Sequence, residues 1–460
     1  MVTLDIDETI DAFRRGVLDI DCKQMVLTQN KEGGECFEGQ GYLRQSNEGI
    51  LIFKIYVIQH NAEPFCHLDS LLSGGAGQLY SEQMFYELDA IAHDGTHWRS
   101  SHILIQPSWS VDFLTVLVSG SMQSITAYLD LPQQKHYLCL HFFEEYNVPL
   151  HLMSETVKNG NRHFTLDRTK FDACGFKFEV RKPDGLGQTI VEVTSETPFP
   201  VAFNLRVQEA LQYITAKTSA WRARIEIEGD QIHLELASPA RKSLPTQFSP
   251  PISPVSVNFR DYGWKLFEQY LSYVMRETKG TQWNAVAYHL FNACEATANS
   301  VDAWSAGVSI AVEAVASLIS FEDDEEKIRR LSLFKRRVFE WLADQSDFCD
   351  LAKRARGSID SMSNKRPEDT LYALAATGHV DKSYVKTWRE LRNRHVHPTL
   401  KDLKKPDLFD HQKLLDRIHG VETLLRQLTF YLIKYEGPFT DYGIHGGQDF
   451  PSKVYPLAKT

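Results

Sequence analysis

Within Trp388-Arg389-Glu390-Leu391-Arg392-Asn393-Arg394-His395-Val396-His397-Pro398, a guanidinium, an amide and an imidazole stand close together in sequence. An imidazole titrates near neutral pH, so His397 can take the proton from a ribose 2′-hydroxyl or give one to a leaving 5′-oxygen. The guanidinium of Arg392 can grip two phosphate oxygens and stabilise the charge that builds in the transition state. The 2′-hydroxyl is itself the nucleophile, so the reaction needs no Ser or Cys. These groups suit RNA cleavage without metal or cofactor. The products would be a 2′,3′-cyclic phosphate and a 5′-hydroxyl end.

One helix must position these groups. Asp381 or Ser383 can cap its start. Pro398 biases His397 out of helical geometry, so the helix is expected to end there. Asn393 and His397, four apart, share a face. Arg392 is offset from them, within reach of a phosphate bound at the same spot. A plainer reading is a surface helix whose basic end is favoured by the helix dipole. His395 is either a second proton carrier or a partly exposed helix histidine. Arg394 and Arg389 either grip neighbouring phosphates or solvate a face.

The run Arg392-Asn393-Arg394-His395-Val396-His397 resembles the RNxxxH form of the motif of HEPN domains, the higher eukaryotes and prokaryotes nucleotide-binding family. Ser309-Ile310-Ala311-Val312-Glu313-Ala314-Val315 is similar to that family's earlier helix, whose Glu sits in an apolar run. The resemblance covers roughly residues 260–435. It implies a small helical bundle, a homodimer in which two motif copies make one composite site, and endoribonuclease activity. It makes Arg392, Asn393 and His397 catalytic, and has Glu313 orient Arg392 through a buried ion pair. The layout, a β-rich front domain before HEPN, resembles the ApeA class of bacterial anti-phage proteins. That implies an abortive-infection effector restrained until a phage-derived or nucleotide trigger reaches the front domain.

A basic run, Arg329, Arg330, Lys335, Arg336 and Arg337, then Lys353, Arg354 and Arg356, reads either as an RNA track or as solvated helix faces. The acidic residues 322–326 before it fit a helix N-terminus. His93, His97 and His102 suggest a metal site. Yet residues 86–106 read as a hairpin turning at Asp94-Gly95, with His93 opposite Thr96, His97 opposite Ala92, and His102 near Glu87. In that register the three imidazoles cannot meet, and no metal is expected.

The elements that must carry these residues change character near residue 250. Upstream, β-branched and aromatic runs alternate with Gly, Asp and Asn turns. Phe176-Lys177-Phe178-Glu179-Val180 has period two, and Gly229-Asp230 joins two such runs as a hairpin. Residues 203–218 break this pattern with apolar residues Leu205, Val207, Leu211 and Ile214, a helix expected to pack on the sheet. Pro239, Pro245, Pro250, Pro251 and Pro254 mark a semi-rigid linker. Beyond it the period is helical, as in Ile418, Val421, Leu425, Leu428 and Leu432, with no strand signal. Roughly six to eight helices are expected there. The tail from Tyr435 reads as a turn-rich strap that either packs on the bundle or borders the active site or dimer contact. The fold class is therefore α+β. Residues 1–237 form a mainly antiparallel, sandwich-like sensor domain, 238–257 a linker, and 258–460 a helical domain with the strap.

Composition bounds the partners. A net charge of −10 gives no overall attraction to nucleic acid, so RNA, with tRNA among the candidates, must bind at a local basic patch. Seven cysteines without a CxxC pair argue for a reducing cytoplasm and against a zinc site. No apolar run approaches the ~18 residues of a membrane span, and acidic Asp5, Asp7 and Glu8 argue against a secretory signal. Two other readings compete. In one, the helical module holds RNA or a nucleotide, or merely dimerises, without cutting. In the other, the β domain is a ligand receptor joined to a helical dimeriser.

Overall fold

Alternating apolar and polar side chains build the front of the chain into strands, as in β4 (Tyr86–Ala92), where inward residues are buried and outward ones exposed. The computed structural model describes residues 4–63, 79–111, 115–130, 136–158, 161–183, 185–218, 220–239, 246–320, 325–344, 349–361, 366–395, 411–444 and 450–457. The chain divides into two units, Met1–Asn204 with Ser219–Ser243, and Leu205–Thr218 with Leu244–Thr460.

In the first unit, α1 (Ile6–Arg14) precedes β1 (Asp19–Gln29), β2 (Cys36–Gln45), β3 (Leu51–His60), β4, β5 (His97–Trp109) and β6 (Val116–Met122). These strands pair antiparallel in the order β4-β1-β2-β3-β6-β5, and a β4–β5 pairing closes the ring. A six-stranded barrel therefore replaces the expected sandwich. Inward alternation looks the same in either architecture, so closure is set by the pairing of β4 with both β1 and β5. Close strand approach is built in at Gly41, where a Cβ would lie 1.8 Å from the Lys54 carbonyl oxygen. Leu27, Phe53, Ile55, Tyr86, Trp98 and Val118 fill the core.

Beyond the barrel the sheet continues through β7 (Ser124–Asp130), β8 (His136–Phe142), β9 (Leu152–Lys158), β10 (Asn161–Ala173), β11 (Phe176–Arg181), β12 (Thr189–Ser195), β13 (Ala223–Glu228) and β14 (Gln231–Ala237). The order is β7-β14-β13-β8-β12-β11-β10-β9. The branch lies at β5, which pairs with β7 over residues 97–99 and with β6 over residues 104–109. The hairpin at Gly229-Asp230 has its expected two-residue turn, with Glu228 opposite Gln231.

The β4–β5 hairpin differs from expectation by one residue. Ile91 faces His97, and Ala92 N donates to the Thr96 carbonyl. The loop is thus His93-Asp94-Gly95, with Gly95 at φ +94, a left-handed glycine of the kind that ends three-residue hairpin loops. His102, at φ +55, lies where the register shifts. All three imidazoles are exposed. Among the described residues no group of three or more His, Cys, Asp or Glu could hold a metal ion.

The second unit contains most of α2 (Phe203–Thr215), then α3 (Val257–Glu277), α4 (Ala285–Ala296), α5 (Val301–Ser317), α6 (Glu325–Ala343), α7 (Cys349–Ser361), α8 (Pro367–Ala376), α9 (Lys382–His395) and α10 (His411–Ile433). The expectation that residues 203–218 pack on the sheet holds for Phe203, whose ring lies 4.6 Å from that of Phe176 on β11, and is corrected beyond it: from Leu205 they belong to the helical unit. Arg206 and Glu209 make a buried pair, Asn284 N donates to Glu209 at 2.8 Å, and the Tyr213 and Tyr270 rings stack 4.1 Å apart. Apolar periodicity found this helix but could not say which surface its face would meet.

Residues 246–256 of the proline-rich stretch are likewise fixed to the helical unit rather than spanning free. Phe248 and Ile252 are buried, Gln247 N donates to Thr297 Oγ1, and Ser253 N donates to Thr440 Oγ1. A strand pair, β15 (Gly437–Thr440) with β16 (Ser452–Tyr455), also departs from the expected absence of strands. Four residues per strand leave too short an alternation to read from sequence. Phe439 and Tyr455 of this ribbon are buried. Among the described residues no helix is long and apolar enough to cross a membrane.

Candidate active site

Three helices position the motif. In α10, residues 420–430 are buried all round, which makes it the central helix of the unit. Gly420 lets α9 approach it, since a Cβ there would lie 2.9 Å from Tyr384 Cδ1. Helix α9 buries Tyr384, Val385, Trp388 and Leu391, one face at three- and four-residue spacing. Helix α5 buries Trp304, Val308, Val312 and Val315 likewise. Contacts from α5 advance in step with α9: Trp388 Nε1 donates to the Ser309 carbonyl at 3.0 Å, and Arg392 meets Glu313. The two helices therefore run in the same direction, and their C-terminal halves bring Glu313 to Arg392.

The start of α9 is capped by Asp381, as its sequence suggests. Asp381 Oδ1 accepts from Ser383 N at 2.8 Å and from Ser383 Oγ at 2.6 Å. Its backbone N–H in turn donates to Gln427 Oε1 on α10 at 2.9 Å.

Arg392 holds Glu313 with two bonds, Nε to Oε2 at 2.6 Å and Nη2 to Oε1 at 2.9 Å. The carboxylate pushes the guanidinium pKa further up. The guanidinium carbon lies 5.8 Å from the Trp388 ring centre. The pair is about a third exposed, 29% and 34% by side chain, where a buried pair was expected. It sits one turn beyond buried Trp388, at the edge of the packed face. With Nε and Nη2 engaged, Nη1 has no hydrogen-bond partner among the described residues. A guanidinium oriented this way can present its free edge to an anion.

Asn393 is exposed on α9, and Arg394 and His395 are its last residues. The expectations for the Arg394 and His395 side chains, for His397, and for helix termination by Pro398 lie outside the described residues. Arg389, a candidate phosphate grip, lies 3.3 Å from Glu368 on α8 in an exposed ion pair. Of the basic run, Lys335 donates to the Asp360 carbonyl at 3.0 Å, and Arg356 reaches the Phe339 carbonyl at 3.5 Å. Those two cations fasten α6 to α7. Arg336 and Arg337 are exposed.

Several positioning groups carry no signal in the sequence. Trp388 and Ser309 are 79 residues apart, and nothing local pairs them. Tyr384 Oη donates to Asp441 Oδ1 at 2.6 Å, and Lys453 Nζ lies 2.6 Å from Asp441 Oδ2. Asp441 is fully buried, so the strap is fastened to the motif helix by a carboxylate that a phenol hydrogen-bonds and whose charge an ammonium balances. An imidazole–carboxylate pair, His419 with Glu422 at 3.4 Å, shares the buried carboxylate with Trp304 Nε1 at 2.7 Å. Trp304 lies nine residues before Glu313, about 13 Å along α5, so this pair is separate from Arg392.

No protein-family model matches the chain. No curated protein and no solved structure matches it either.

Proposed function

We propose that this protein is a metal-independent endoribonuclease that works as a homodimer through its helical unit. The 2′-oxygen attacks phosphorus while its proton passes to the His397 imidazole. The P–O5′ bond breaks, and the departing oxygen takes a proton from the imidazolium so formed, leaving a 2′,3′-cyclic phosphate and a 5′-hydroxyl. Arg392 neutralises charge on the non-bridging oxygens, and Asn393 donates to the same group. The two-point clasp of Glu313 on Arg392, five residues before His397, carries this reading. A helix end that merely solvates its C-terminus has no use for an orienting carboxylate on a second helix. In the cell the reading places the protein in the cytoplasm as an abortive-infection effector, with the β unit as sensor of a phage-derived or nucleotide trigger.

The test is incubation of the whole protein with total RNA, tRNA included, in EDTA. The proposal expects discrete cleavage that His397→Ala abolishes. RNA binding without cleavage, given a folded protein, would instead make the helical unit a binding module. Neither binding nor cleavage would favour a ligand receptor with a helical dimeriser.

A further inference from the structure

We infer that α6 carries a binding stripe for unpaired RNA, made by Arg330, Phe334, Arg337 and Trp341. This deepens the ribonuclease reading and rests on it for the choice of ligand. The four residues fall at i, i+4, i+7 and i+11, the spacing that keeps side chains on one helix face. All four are exposed, with Phe334 48% and Trp341 60% accessible. The adjacent face is the one that packs: Lys335 and Val338 are half-buried and Leu342 is buried.

A face that alternates cation, ring, cation, ring costs a helix something to display to water. Two large aromatic side chains that could have joined a core stand in solvent. Among the described residues neither Arg330 nor Arg337 has a carboxylate within ion-pair distance. Glu340 and Asp344 are also exposed and flank the far end of the stripe. The two rings are seven residues apart, about 10 Å along the axis. That is roughly three base layers at ~3.4 Å each. Bases stacked on Phe334 and Trp341 would leave an intervening phosphate beside Arg337 and the next phosphate beyond Phe334 beside Arg330. An unpaired strand offers ring faces and phosphates in that alternation, whereas a duplex hides its ring faces. A protein partner burying this face would have to desolvate two guanidinium groups, which disfavours it. The positive stripe also complements a polyanion on a chain whose net charge is −10. Arg336, singled out in the sequence with Arg337, lies on the other side of the helix and is left out of the stripe.

The probe is a fluorescein-labelled twelve-residue oligouridylate, read by anisotropy on the full chain carrying His397→Ala so that no cutting occurs. Phe334→Ala with Trp341→Ala should weaken binding at least tenfold, on the scale of base–aromatic stacking. The corresponding RNA duplex should bind with unchanged affinity. Trp341→Phe should restore most of the loss, and Arg330→Ala with Arg337→Ala should flatten the salt dependence. Lys279→Ala, an exposed charge elsewhere in the helical unit, should shift binding less than twofold. Equal binding by the double aromatic variant and its parent overturns the stripe. So does a loss of self-association without a change in RNA binding, which would make the face a protein contact. The ribonuclease reading fails separately: stripe-dependent binding with no cutting by the unsubstituted protein removes that reading and leaves the stripe standing. Cutting with stripe-independent binding does the reverse.

Discussion

Arg392 and Glu313 form a clasp, and in the proposed ribonuclease its value lies in orientation rather than stability. Both partners are about a third exposed, so solvent screening leaves the pair worth roughly 1 kcal/mol or less. Glu313→Gln should therefore change the melting temperature by only a few degrees. Its effect on RNA cleavage should be larger, about ten- to a hundredfold on kcat, because a guanidinium free to rotate loses its aim on the phosphate. Kinetics beside a melting curve check this. A large melting shift with unchanged kcat would make the pair structural and contradict the orienting role. The pair itself was open to anticipation from two short motifs and their resemblance to a family. Its exposure was not, since sequence gives no depth.

At the scale of elements, helices α5, α9 and α10 were legible because each carries an apolar stripe at helical spacing. The Gly229-Asp230 hairpin was legible because its turn chemistry is local. The barrel closure, the three-residue loop at residues 93–95 and the β15–β16 ribbon were not, because pairing partners far apart in sequence decide them. Buried titratable groups were hidden for the same reason, and two of them predict opposite pH behaviour. Burial pushes the Glu209 carboxyl on α2 up to about 7, against the pull of Asn284 N–H and Arg206. A raised carboxyl pKa gives stability that is complete below its ordinary value near 4.5 and is lost as pH rises through 7. Burial, with the Arg181 charge second, lowers the His141 imidazole on β8 to about 4. A lowered imidazole pKa gives stability that is complete above 6.5 and is lost as pH falls through 4. Each shift corresponds to a few kcal/mol at most, about 1.4 per pH unit. Hydrogen-exchange protection factors between about pH 5 and pH 8 should fall for α2 amides and rise for those of β8. A parallel change in both elements would contradict the assignment.

For the whole molecule, an acidic chain that cuts RNA must concentrate its positive charge locally. The exposed side of α6, with Arg330 and Arg337, offers such a place, while Lys335 and Arg356 of the basic run are occupied in joining α6 to α7. The proline-rich stretch was legible as a break in the sequence. That residues 246–256 are fixed to the helical unit was not, because their hydrogen bonds reach Thr297 and Thr440. The proposed ribonuclease activity is defined by the ends it would leave on cut RNA. The most direct measurement is mass spectrometry of a short oligoribonucleotide cut by the intact protein, beside the same oligomer with a single 2′-deoxy sugar at the scissile position. The account predicts a 2′,3′-cyclic phosphate on the upstream fragment, a 5′-hydroxyl on the downstream one, and no cut in the deoxy oligomer. A 3′-hydroxyl with a 5′-phosphate, or an undiminished cut at the deoxy position, would contradict it.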